Sequence, residues 1–149
     1  MGMWRPRVLA TWLAAACVSG CGATSTAPTQ TPGPTGLDLS GQWSGTWQYV
    51  TASLMVTETV VLTVTQSHSS ATGTWTAEGG AVGSISLGTG ATISGTFVIW
   101  VTTFGGSCSA ASTLTGTASA TDLRFSVQDL TPTSGCQWST HNQFVLHHN

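Results

Sequence analysis

Nucleophilic catalysis needs a base beside a hydroxyl or thiol and a third group to orient that base. Serine and threonine abound in this chain, yet nothing in the spacing of His68 or His141 places either beside a particular hydroxyl. Acid–base work needs a carboxylate held in a special environment. Glu58 alone falls on the apolar parity of an otherwise greasy stretch, and the plainer account is that it lies at a strand end and reaches water. His141, His147 and His148 could share a metal, but His147 and His148 are adjacent and would point to opposite faces of a strand. No C-x-x-C pair offers redox chemistry. The residue types therefore predict no catalytic set, no metal site and no cofactor, and the expectation is that the protein is not an enzyme.

The elements that carry these residues divide in three. Residues 1–20 have the layout of a secretory signal: Arg5 and Arg7 form a cationic start, residues 8–18 are apolar apart from Thr11, and small residues follow. The run is too short to span a ~30 Å hydrocarbon core, which needs roughly 20 apolar residues. Val18-Ser19-Gly20-Cys21 resembles the lipobox of bacterial lipoproteins, in which the cysteine is lipidated and becomes the new N-terminus. Cys17 follows Ala14-Ala15-Ala16 and fits less well, because Ala14 stands where the resemblance has Leu or Val. The resemblance thus implies an acyl anchor on Cys21, a lipid bilayer as partner and a place in the bacterial cell envelope. Gly22 in the next position implies the outer membrane if the cell has one. Simple cleavage without a lipid is the alternative.

With Cys17 leaving in the signal and Cys21 taken by lipid, Cys108 and Cys136 are the two cysteines left for an exported domain, and one disulfide between them is expected. Loss of the signal also removes Arg5 and Arg7, so the remaining chain holds Arg124 against five acids, a formal charge of −4. Nucleic acids and anionic headgroups both call for several Lys or Arg. Neither is an expected partner. Residues 21–37 read as a tether: Pro28, Pro32 and Pro34 sit among Thr, Ser, Gln and Gly with almost nothing to bury. At about 3 Å per residue it would lift the domain about 40–50 Å from the lipid.

From residue 38 to 149 the chain reads as an all-β domain. Strands are predicted at residues 41–50, 55–66, 71–78, 82–87, 92–104, 111–120, 123–129 and 139–147, with short links rich in Ser, Gly, Asp or Pro. Val56, Val60, Leu62 and Val64 share one parity and Thr57, Thr59, Thr63 and Thr65 the other, so one face should be oily and one hydroxylated. Leu123, Phe125 and Val127 repeat the pattern and put Arg124 outside. In the fifth strand Phe97, Ile99 and Val101 oppose Val98 and Trp100, so that strand is either covered on both sides or exposes Val98 and Trp100.

Ser44-Gly45-Thr46-Trp47, Thr72-Gly73-Thr74-Trp75, Ser94-Gly95-Thr96-Phe97 and Thr115-Gly116-Thr117-Ala118 each set a glycine inside a strand, where it permits bending or close backbone approach. Short links and such bends predict an antiparallel up-and-down meander of about eight strands closed into a barrel, with a β-sandwich as the alternative. Gly41-Gln42-Trp43 resembles the G-x-W element of lipocalins and other calycins, and the T-G-T-aromatic units are similar to those on the avidin and streptavidin side of that group. The resemblance implies a barrel that binds a small, often apolar ligand at its mouth. Arg124, facing out, departs from the lipocalin basic residue that packs on the G-x-W tryptophan, and biotin binding is not carried over. Trp43, Trp47 and Trp75 are the residues expected to line a ligand cavity. The competing expectation is that they fill the barrel, leaving a structural or adhesion lipoprotein without a small-molecule ligand. Oligomeric state is not legible.

Overall fold

The computed structural model describes residues 36–52, 54–103, 106–131 and 136–149. Cys21, the expected signal at 1–20 and the tether through residue 35 lie outside them. Alternating side chains build eight strands: β1 Gly41–Val50, β2 Met55–Ser67, β3 Ser70–Ala77, β4 Val82–Gly88, β5 Thr92–Thr103, β6 Gly106–Ala118, β7 Asp122–Val127 and β8 Thr140–His148. Each pairs antiparallel with the next, and β1 pairs with β8, so the meander closes on itself as a barrel. The sandwich alternative is set aside.

The pleat sorts the side chains as the parity requires. On β2, Val60, Leu62 and Val64 are buried while Thr59, Thr63 and Thr65 are exposed. Outside, Thr65, Thr72, Ser86, Thr96 and Thr113 stand opposite one another in a row across β2 to β6. β-Branched hydroxyl residues suit a pleated surface and keep it wet without charge. An apolar interior with a hydroxylated exterior is the reverse of a transmembrane barrel, whose apolar band faces lipid. On β5 the outer face is not covered: Trp100 is 43 % exposed and lies opposite exposed Val82, which lies opposite Thr76 and then exposed Val61.

Closure depends on the T-G-T glycines. A Cβ added at Gly45, Gly95 or Gly116 would collide with the backbone carbonyl of Val145, Ser86 or Arg124 on the adjacent strand. Any larger residue would hold those strands apart, so coiling of the sheet at these points requires glycine.

The interior is filled from one end. Leu39, just ahead of β1, is fully buried, and its carbonyl accepts from Trp43 Nε1 at 2.9 Å while its N–H donates to Gln66 Oε1 at 2.7 Å. Leu87, Ile93, Leu114, Leu123 and Leu146 are buried with it. Next comes an aromatic layer: Phe125 stacks on Phe144 at 4.6 Å between centroids, Trp75 on Phe97 at 5.2 Å, and Trp47 on Phe144 at 5.6 Å. Beyond Trp47 and Tyr49 the described side chains leave space.

One boundary differs materially from expectation. β6 starts at Gly106 and not at residue 111, so Cys108 lies within the strand, opposite Val101. The stretch Gly106-Ser107-Cys108-Ser109-Ala110 has no strand-favouring side chain of its own. It is drawn into the ladder because β5 runs on to Thr103 and offers it a paired edge.

Candidate functional site

The unfilled end is the one reached by the second half of β1. Trp47 and Tyr49 are two residues apart, so both face inward, with ring centroids 4.2 Å apart. Glu58 on β2 stands directly opposite Trp47 and shares its inward direction. Its carboxylate is half-exposed but held by the protein on both oxygens. Oε1 accepts from Tyr49 Oη at 2.5 Å, and Oε2 accepts from the backbone N–H of Gly79 at 3.0 Å. Gly79 lies in the link from β3 to β4, and a Cβ there would lie 2.6 Å from both carboxylate oxygens. Only glycine leaves room for the acid to dock on that backbone.

The opposite wall is built by the disulfide. Cys108 and Cys136 are bridged, with Cα atoms 5.9 Å apart, as expected. The bond fastens the segment before β8 to the start of β6, which brings Gln137, Trp138 and Ser139 over the barrel end. Asn142, the buried polar side chain of the core, secures the same corner. Its Oδ1 accepts from Trp47 Nε1 at 3.1 Å and from Ser139 Oγ at 2.8 Å, and its Nδ2 donates to the Ser139 carbonyl at 3.1 Å. One amide thereby fixes both an indole on the wall and the turn that carries Trp138. His141, with φ of 54°, supplies the local bend, and its N–H donates to Asp129 Oδ1 at 3.3 Å.

These elements enclose a cavity of about 520 Å³, open at the barrel end and lined by Trp47, Tyr49, Glu58, Ile99, Val101, Trp138 and the disulfide, among others. That volume falls in the range of small-molecule sites, about 300–1,000 Å³. The lining is mostly apolar with one carboxylate. Tyr49 responds to the setting: burial first, and then its hydrogen bond to Glu58 and the charge of that group, push the phenol up to about 12. The hydroxyl therefore stays a donor to Glu58 at any ordinary pH.

The three tryptophans singled out by sequence separate here. Trp47 is a cavity wall. Trp75 lies in the aromatic layer, 2 % exposed, against Trp47, Phe97 and Phe144. Trp43 is fully buried at the filled end, edge-on to His148 at 4.7 Å. Neither Trp43 nor Trp75 is among the lining residues. Cys21 lies outside the described residues. The histidines do not converge: His147 Nδ1 is 3.0 Å from Asp122 Oδ1, His148 packs on Trp43, and His141 sits beside Thr140. Among the described residues no group of three or more His, Cys, Asp or Glu could hold a metal ion.

Sequence reasoning passed over Asn142, Gly79 and the placing of Trp138. Asn142 carried a readable signal, an amide on the parity of Phe144 and Leu146. Gly79 and Trp138 did not, since both acquire their roles from links whose path no periodicity describes. Compared with known proteins, the chain matches no family model, no curated protein and no solved structure.

Proposed function

We propose that this protein is an exported, membrane-anchored lipoprotein of calycin-like architecture whose barrel binds a small, largely apolar ligand at its open end. The observation that carries the binding part is the cavity of about 520 Å³ beside Trp47, Tyr49 and Trp138. An eight-stranded barrel has room for little more than its own side chains, and here the described side chains stop short of one mouth. Burying an apolar ligand on such walls is favourable by about 25 cal/mol per Å² removed from water. Support for the anchor is the lipobox resemblance at Val18-Ser19-Gly20-Cys21 and the tether that follows it. We read the module as a binder and not as a catalyst, because Glu58 is the one carboxylate among the described residues of the cavity wall.

A second reading, a structural or adhesion lipoprotein, draws on the aromatic layer that packs the middle of the barrel. One experiment separates the two. A neutral apolar fluorophore titrated into the folded domain should quench tryptophan emission saturably, and Trp47→Ala should weaken uptake more than it weakens folding. Absence of saturable binding at millimolar probe would leave the scaffold reading in place. For the anchor, mass spectrometry of the N-terminal peptide from native membranes should show acylated Cys21, and Cys21→Ser should release the protein. An unmodified cysteine on membrane-bound protein would refute it.

A further inference from the structure

The cavity is apolar, yet it has a carboxylate in its wall, and that combination narrows what can occupy it. Glu58 is half-buried and takes two donors, the Tyr49 hydroxyl and the Gly79 N–H. An ionised carboxylate has about four acceptor sites, so its remaining lone pairs depend on whatever fills the space beside it. Among the described residues no side-chain cation serves them. The sequence has three basic residues, Arg5, Arg7 and Arg124, and no lysine; Arg124 lies on the outer face of β7, 4.0 Å from Asp122. No histidine is among the described residues that line the cavity.

Three classes of occupant can be weighed against that geometry. A wholly apolar molecule would strip water from Glu58 and return no hydrogen bond, which is unfavourable for a charged group. An anion would face like charge at short range in a poorly screened site. A metal ion would find one carboxylate where hard cations take six to eight oxygens. An ammonium group satisfies the carboxylate directly, and its charge is also attracted to aromatic rings, here Trp47, Tyr49 and Trp138.

We infer that the open end of the barrel takes a small amphipathic organic cation, an apolar body bearing a protonated amine, with the ammonium on Glu58 and the body against Trp47, Trp138, Ile99 and Val101. The inference rests on the binding reading above and adds the chemical class of ligand. No bond is made or broken.

The test uses three probes of nearly equal shape, phenethylammonium, phenethyl alcohol and phenylacetate, each titrated into the folded domain by calorimetry. The expected order is ammonium, then alcohol, then carboxylate, with the ammonium about tenfold tighter than the alcohol. Glu58→Gln, which keeps an acceptor for Tyr49, should bring the ratio of ammonium to alcohol affinity down to about one. Asp122→Asn, which removes an acid on the outer surface, should leave the ratio as it was. Equal binding of ammonium and alcohol by the unaltered protein would overturn the inference and leave the binding reading standing. Failure of all three probes, together with failure of the neutral fluorophore, would overturn both. The ranking on the unaltered domain decides the matter even if Glu58→Gln does not fold.

Discussion

Tyr49 is the single tyrosine of the chain, so the near-ultraviolet band of phenolate reports one residue at one corner of the cavity. In an unfolded chain the phenol ionises near 10.0; in the folded barrel burial, the hydrogen bond to Glu58 and the nearby charge move it to about 12. The sign of the linkage follows. Between about pH 10 and 12 the unfolded state has lost its phenol proton while the native state keeps it, so unfolding becomes easier as pH rises through that window. Below about 10 the contribution is fully present. A rapid pH jump, read before the barrel unfolds, should place the native midpoint near 12 and the urea-unfolded midpoint near 10. Glu58→Gln removes the charge but not the burial, so its midpoint should fall between the two. Near-ultraviolet circular dichroism confirms that the protein is still folded during the reading. A native midpoint near 10 in a folded barrel would mean that Tyr49 is neither buried in the wall nor donating to Glu58, and the account of the cavity wall would fail with it.

Two further outcomes concern what holds this end together and what fills the rest. The Cys108–Cys136 bridge closes a loop with a sequence separation of 28; replacing both cysteines with serine should destabilise the domain by about 3–4 kcal/mol and lower the melting temperature by about 12–25 °C. The same variant should lose probe binding under conditions where it is still folded, because Trp138 is no longer held over the mouth; retained binding would show that the segment before β8 is not a wall. Trp75→Ala should cost about 3–5 kcal/mol, since its ring sits in the closed aromatic layer. Trp100→Thr, on the exposed face of β5, should stay within about 0.5 kcal/mol of the parent. Similar denaturant midpoints for the two tryptophan variants would contradict the division of the barrel into packed and exposed faces.

The barrel was legible because its signal is local and repeated. Val60, Leu62 and Val64 against Thr59, Thr63 and Thr65 settle a face without reference to any other strand, and Gly45, Gly95 and Gly116 mark in sequence the places where adjacent backbones crowd. The start of β6 was not legible, because residues 106–110 become a strand only by pairing with the overhang of β5. Nor was the role of Glu58. Its parity pointed inward, but whether an inward acid is stranded or satisfied depends on Gly79, 21 residues away, and on the rotamer of Tyr49.

The tryptophans show why composition alone could not choose between a filled barrel and a binding site. Trp43, Trp47 and Trp75 carry the same parity signal and the same bulk, and they occupy three different depths. Depth is decided by what stands opposite. At the filled end the inward positions are Leu39, Leu87, Ile93, Leu114, Leu123 and Leu146, whose volumes meet across the axis. At the open end Gly79, Ala81 and a disulfide stand among Tyr49, Ile99, Val101 and Trp138, and the described side chains do not meet across the axis. A barrel of fixed strand number has a nearly fixed interior, so an excess of small residues at one end must appear as empty space there. The cavity is thus a consequence of side-chain volume. Glu58, the one charged side chain among its described lining residues, gives that space a chemical preference.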